Sequence, residues 1–365
     1  MASHSNRADL VIVGSGSLAE KVVHLFSQLE LGRLQVAIVG RSKAKIAQTA
    51  LIANARAAIL GVSTTVAPVE IGEFNARFFS KAFRSLKPKV IFHAASLQSP
   101  WESAQGETAW TKLIAAAGFG ITLPLQLGLI AEVSQAAGDS SATIVNASYP
   151  DCVNVVLDRS GFRVTCGIGN AAIVEAFCRS HPMVESADVS VVGHHGHLAG
   201  WLKAAAHGGL PRIWVKGREV KPLRLSPRLT AISEELNDVT AATAACIIRA
   251  LLTGETLNIS VPGVPGFAGG YPFALKNRKF ALRLPPDIDL PKAMAHNKTA
   301  EFSDGLDIGD GVRFSDKANR ALAATGFEYA RGFAFEEWYR VRDAMLRLRD
   351  RLRSQLSEKS NSAGN

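Results

Sequence analysis

Leu10-Val11-Ile12-Val13-Gly14-Ser15-Gly16-Ser17-Leu18-Ala19 is the stretch that decides the fold. A short apolar run ends in a Gly-x-Gly-x-x-Ala turn, and Ser17–Leu29 after it carries apolar side chains at helical spacing. Gly14 allows the tight turn, Gly16 lets the backbone approach a pyrophosphate, and Ala19 keeps the helix close to the sheet. The first N–H groups of such a helix have no intrahelical partner and face the anion. Gly14, Gly16, Ser17, Leu18 and Ala19 are therefore the expected phosphate-binding residues.

Working outward, β-branched runs at Gln35–Val39, Val62–Val66, Val90–Phe92 and Ala142–Val145 alternate with helical patterns such as Lys43–Ala57. That alternation implies a parallel sheet with helices on both faces, and right-handed crossovers leave a doubly wound dinucleotide fold as the leading topology. The second strand runs into Gly40-Arg41-Ser42-Lys43, where an NAD site carries Asp or Glu for the ribose 2′-OH. A carboxylate repels a 2′-phosphate, whereas Arg41 can bind one bidentately, with Ser42 as a second donor and Lys43 adjacent. The expected cofactor is NADP(H), with NAD the lesser alternative. The fourth strand leads into His93-Ala94-Ala95-Ser96, where small residues let the backbone pass close to the cofactor. Tyr149 is followed four positions on by Val153, so a Tyr-x-x-x-Lys acid is not supported.

The chain of 365 residues is 47% hydrophobic and 20% charged, enough for a packed core and for two lobes. Its net charge of +9 invites a nucleic-acid reading, but Lys and Arg are spread widely and no recognisable module accompanies them. Cys152, Cys166, Cys178 and Cys246 lie far apart with no CxxC, the usage of reduced thiols. Met1–Asp9 is polar and leads into only a short apolar run, so a soluble, cytoplasmic protein without membrane contact is expected.

Residues 1–150 form the expected dinucleotide-binding domain. After Pro150 the rhythm changes to that of an α+β lobe over 151–330. Arg163–Cys166 and Ala187–Val192 read as strands with a helix, Gly169–Arg179, between them. Arg212–Val215 and Glu219–Leu223 read as a hairpin turning at Gly217. Glu234–Leu252 is a long Ala-rich helix stopped by Gly254, Leu257–Val261 and Ala281–Leu284 are strands, and Ser315–Thr325 is a helix. In 331–365, Trp338, Val341, Met345, Leu348, Leu352 and Leu356 make one helical stripe, which should dock on the body or a partner subunit. Ser357–Asn365 reads as a disordered end.

The order of these motifs resembles the lactate/malate dehydrogenase superfamily from Asp9 to Gly326. Ile144-Val145-Asn146-Ala147-Ser148-Tyr149-Pro150-Asp151 is similar to its strand ending in Asn-Pro-x-Asp, although Tyr149 directly precedes the proline. Cys166-Gly167-Ile168-Gly169-Asn170 is similar to its Gly-rich segment before a helix, and Gly193-His194-His195-Gly196-His197 to its Gly-x-His-Gly loop. The resemblance implies a doubly wound parallel Rossmann sheet followed by an α+β C-terminal domain, and a homo-oligomer. It implies that His195 is the proton donor and acceptor, that Asn146 lies near the nicotinamide, and that Glu175 or Asp151 orients His195. Read by itself, Asn146 also fits a turn-forming residue.

Two departures bear on the substrate. The resemblance implies an Arg on the helix after Gly169, but Arg179 sits late and fits a C-terminal cap. It also implies that the mobile loop Ser96–Trp110 carries an Arg over a 2-keto acid; this loop has Gln98, Trp101 and Glu102 but no Arg. A buried carboxylate without a cation is costly, so a simple 2-hydroxy acid is disfavoured and Trp101 hints at a larger or less charged substrate. The leading expectation is an NADP(H)-dependent oxidoreductase acting on a carbonyl/hydroxyl or imine/amine of a small molecule, without a metal. One alternative is an NAD(P)- and metal-dependent lyase or glycosidase using His194, His195, His197 and Cys166. The other is a non-catalytic NADP-binding sensor.

Overall fold

In the computed structural model, which describes residues 7–138, 140–184, 188–205 and 209–361, the apolar runs of the first lobe form a six-stranded parallel sheet. Its strands are β1 Leu10–Val13, β2 Leu34–Gly40, β3 Thr64–Glu70, β4 Val90–His93, β5 Thr143–Asn146 and β6 Cys166–Gly167. Their order, β3-β2-β1-β4-β5-β6, reverses direction between β1 and β4 and opens a crevice at the carboxyl ends of those strands. Val13 aligns with Val39 on one side and His93 on the other, which sets the Gly14 turn beside Ala94.

Both faces of the sheet are covered, and this is why the strands read as continuous apolar runs. Leu10, Ile12, Val36, Ile38, Val90 and Phe92 pack against the helices Ser17–Phe26, Lys43–Leu60 and Leu236–Thr253. Val11, Val13, Ala37, Val39, Ile91 and Ile144 pack against Ala76–Leu86, Ala109–Ala117, Leu123–Ala137 and Pro150–Arg159. The helix Leu236–Thr253 is long and apolar enough to cross a bilayer, yet Ala241, Ala244, Ile247, Ile248 and Leu251 are buried in the core beside the Ser17–Phe26 helix.

The sheet draws β6 from beyond position 150, so the strand expected at Arg163–Cys166 shrinks to two residues of the first lobe's sheet. Three small antiparallel sheets follow, and the last of them, Leu306–Ile308 with Val312–Phe314 and Gly332–Phe333, shares a core with Val11 and Val13 of the parallel sheet. One contains the expected hairpin, Arg212–Val215 with Arg218–Val220, turning through Lys216 and Gly217 at φ of 52° and 75°. Several elements escape the sequence reading, two of them next to the site. The strand Gly270–Lys276 begins inside a Gly/Pro-rich stretch, Pro262–Pro272, and the helix Leu290–Ser303 starts where Asp289 accepts from the Lys292 N–H.

The helix Trp338–Asn361 docks on its own body, burying Val341, Met345, Leu348 and Leu352 against Ala109–Ala117 and Leu123–Ala137. The expected disordered end, Ser357–Asn365, lies from position 362 on outside the described residues.

Candidate active site

The crevice is a cleft of about 850 Å³ that runs from the Gly14 turn to His195. At its first end, Gly14 has a φ of +126°, and a Cβ there would lie 2.8 Å from the Ala94 carbonyl oxygen, so only glycine fits. Gly16 faces open space and starts the Ser17–Phe26 helix with no side-chain cap, leaving backbone N–H groups for an anion. Ser17 and Leu18 line the cleft, and Ala19 is buried beneath them. This cradle fits a dinucleotide pyrophosphate.

Arg41 and Ser42 line the cleft beyond the end of β2. The Arg41 guanidinium lies over the Phe74 ring, 5.0 Å from its centroid, which favours one placement of a long side chain. Ser42 caps the Lys43–Leu60 helix by accepting from the Lys45 N–H at 3.4 Å, while Lys43 is exposed and outside the cleft lining. Ala94, Ala95 and Ser96 form the opposite wall.

At the far end His195 begins the helix His195–Leu202, its side chain 29% exposed. Its Nδ1 lies 2.7 Å from Asp304 Oδ2, and the same oxygen accepts from the Tyr149 hydroxyl at 2.7 Å. Phe119 and Tyr149 flank the imidazole, with ring centroids at 4.7 and 5.1 Å. Burial by itself would lower the His195 pKa, but the Asp304 charge and hydrogen bond outweigh it and the net shift is upward. Burial would raise Asp304, yet His195 beside it holds the carboxyl below the usual range. Burial and the Asp304 charge push the Tyr149 phenol well up, so it remains a neutral donor.

Asp304 follows the Leu290–Ser303 helix and was missed from sequence with that helix. Asp289 at the N-cap and Pro291 in the first turn were the available signal. The carboxylates expected to orient His195 are engaged elsewhere. Glu175 is buried, bonded to Arg179 at 2.7 Å and to the Ser260 N–H at 2.6 Å, and thereby ties its helix to the strand Leu257–Pro262. Asp151 is buried and accepts from Asn170 Nδ2; it adds a negative field that raises the His195 pKa without bonding to the ring. Asn146 does not reach the cleft either. Its Oδ1 accepts from the Ser148 N–H at 2.9 Å, and its Nδ2 donates to Asn154 Oδ1 at 2.8 Å and to the Ser148 carbonyl at 3.1 Å. Both donors and one acceptor site of its amide are thereby used within the turn after β5 and the helix that follows it.

The other histidines hold the loop. His194 Nδ1 accepts from the Gly196 N–H at 3.1 Å, so its proton sits on Nε2, which faces Cys152 Sγ at 3.3 Å. His197 Nδ1 accepts from the His194 N–H, and burial pushes its pKa down to about 2. Cys152, His194 and Glu301 bring ligand atoms within 4.8 Å of one another, but a proton on Nε2 makes His194 a donor there rather than a metal ligand. Cys166, considered for the same metal, is a buried thiol of β6 whose pKa burial raises.

Asn170 and Ile173 are the residues of the Asn170–Ser180 helix that face the cleft, in place of the carboxylate and Arg that the resemblance implies for that helix. Nor is the segment after Ser96 free. Gln98 Oε1 accepts from Trp110 Nε1 at 3.0 Å, its Nε2 donates to Glu102 at 2.7 Å, and Arg353 grips Glu102 through two bonds of 2.7 and 2.5 Å. Ser99, Pro100 and Trp101 are thereby held in the cleft wall.

The chain has the fold of the lactate and malate dehydrogenases. Malate dehydrogenase of Cryptosporidium parvum superposes with a TM-score of 0.52 at 14% identity, over 81% of this chain and 96% of that one. Lactate dehydrogenase of Eimeria maxima, solved with NADH and oxamate, gives 0.51 at 14% identity over 80% and 92%. Malate dehydrogenase of Salinibacter ruber gives 0.50 at 16% identity over 80% and 93%. No protein-family profile and no curated protein matches the sequence.

Proposed function

We propose that this protein is an NADP(H)-dependent oxidoreductase acting on a carbonyl/hydroxyl or imine/amine group of a small molecule, with His195 as its acid/base. The observation that carries the reading is that a dinucleotide cradle and a hydrogen-bonded His195–Asp304 pair open into one cleft. Two of the similar folds are malate dehydrogenases and a third is a lactate dehydrogenase crystallised with NADH, which supports a nicotinamide here. Arg41 with Ser42, and a glycine at position 40, support the 2′-phosphate over a bare ribose.

Gly14, Gly16, Ser17 and Leu18 hold the pyrophosphate, while Arg41 takes the 2′-phosphate. When bound, the reduced nicotinamide supplies a hydride. Asp304 keeps the His195 proton on Nδ1, so Nε2 is the ring nitrogen free to exchange one with the substrate. In carbonyl reduction the imidazolium donates from Nε2 to the substrate oxygen, and the neutral ring remains bonded to Asp304. Oxidation reverses the transfer.

The test is titration with NADPH and NADH, then NADPH oxidation across a carbonyl panel by wild type and His195→Ala. NADPH should bind the more tightly, and His195→Ala should keep that binding while losing about 10²- to 10⁴-fold in turnover. Full activity in His195→Ala would remove the proposed acid/base.

A further inference from the structure

The end of the cleft around His195 is largely apolar and carries no Lys or Arg among the described residues. Trp101, Phe119, Ile173, Leu198, Leu202 and Ile232 line it, and neutral polar groups such as Ser99, Ser148 and Asn170 interrupt that wall. Among the described residues, Arg41 is the one Lys or Arg in the lining, and it belongs to the cofactor end beyond the Gly14 turn. Arg179 is bonded to Glu175, and Arg353 to Glu102. Asp304 sits on the Nδ1 side of the ring at 2.7 Å, and the charge of buried Asp151 adds to its negative field. A substrate carboxylate next to the reacting carbon would meet apolar walls and no Lys or Arg, and the charge of the one cation there, the His195 imidazolium, is already matched by Asp304.

We infer that the substrate is an uncharged ketone or aldehyde, and in reverse its alcohol, bearing an apolar chain or ring that lies against Trp101, Ile173 and Leu198. This rests on the hydride-transfer reading above and narrows it. In reduction, the C–H bond formed at the carbonyl carbon uses a hydride from the reduced dihydronicotinamide, which becomes the oxidised pyridinium. The oxygen takes its proton from His195, which water reprotonates. A 2-keto acid is excluded by the same wall that accepts the apolar group.

The wild-type protein, saturated with NADPH, is assayed with 4-phenyl-2-butanone, pyruvate and oxaloacetate. Binding is read separately by calorimetry, with 4-phenyl-2-butanol on the NADP⁺ complex and oxamate on the NADPH complex. The expected result is saturable binding of the alcohol, none of oxamate, and kcat/KM for the ketone higher by on the order of a hundredfold. Ile173→Arg, with NADPH affinity and melting temperature as folding controls, should reverse the preference towards pyruvate and oxamate. Oxamate binding together with reduction of pyruvate at least as fast as the ketone overturns this inference and leaves hydride transfer standing. NADPH binding with neither class bound or reduced removes both.

Discussion

Asp304 lies 109 positions beyond His195 in the chain, yet its Oδ2 is 2.7 Å from His195 Nδ1 and also accepts the Tyr149 hydroxyl. The partner of the imidazole thus comes from the segment after a helix of the second lobe, while the helix beside the loop presents Asn170 and Ile173 to the cleft. One carboxylate fixes the tautomer and stabilises the imidazolium.

Replacing Asp304 by Asn tests that arrangement through pH. The folded His195 pKa is raised above 6.5, so carbonyl reduction, which needs the imidazolium, is sustained at low pH and falls as pH rises through the folded value. Alcohol oxidation shows the opposite limb. Asp304→Asn leaves burial without the compensating charge, so both limbs move to lower pH and kcat drops by about 10²- to 10⁴-fold. Rate profiles from pH 5 to 9 measure this, and an unmoved limb contradicts the pairing.

Stability should follow the same linkage. A raised His195 pKa contributes stability that is complete below its unfolded value of 6.5 and is lost as pH rises through the folded one. The lowered Asp304 pKa contributes above 3.8 and is lost as pH falls through its folded value. Tyr149→Phe removes a buried bond to the charged carboxylate and should cost about 1.5–3 kcal/mol in denaturant unfolding. A loss near zero would mean that Tyr149 contributes only ring packing.

Arg41 should control cofactor choice. Arg41→Asp places a carboxylate where a 2′-phosphate would sit, so NADPH affinity should fall at least tenfold while NADH affinity holds or improves. Calorimetry with both nucleotides decides it. Unchanged NADPH preference would sink the assignment of Arg41.

The cleft wall depends on the C-terminal helix through Arg353 and Glu102. Arg353→Glu should raise substrate KM with little effect on NADPH binding, and adding Glu102→Arg should recover part of the loss. For a partly exposed pair the coupling is about 1 kcal/mol. Additive effects in the double variant would show that the ion pair does not hold Trp101 in place.

The doubly wound sheet was legible because both faces are buried and each strand is an uninterrupted apolar run bounded by turns. The Gly14 turn was legible because backbone approach to Ala94 admits no side chain. The Gly-His-His-Gly loop pointed to His195, which does line the cleft, whereas nothing pointed to Asp304 beside it. The helix before Asp304 has no apolar stripe to announce it, and the two partners lie 109 positions apart in the chain. Glu175 looked available, but it meets Arg179 one helical turn on, an i,i+4 pair present in the sequence. Asn146 lies at a strand end next to a crevice, and of its two readings the turn-forming one holds, since its side chain turns back on Ser148 and Asn154.

The central claim is that hydride transfer and a His195 proton meet in this cleft. The most direct measurement is mass spectrometry of the alcohol formed from 4-phenyl-2-butanone with each of the two C4-deuterated NADPH epimers. Deuterium is expected at the carbinol carbon from one epimer alone in wild type, and a rate lower by about 10²- to 10⁴-fold with the same label pattern in His195→Ala. An alcohol carrying no deuterium from either epimer, or labelled equally fast without His195, contradicts it.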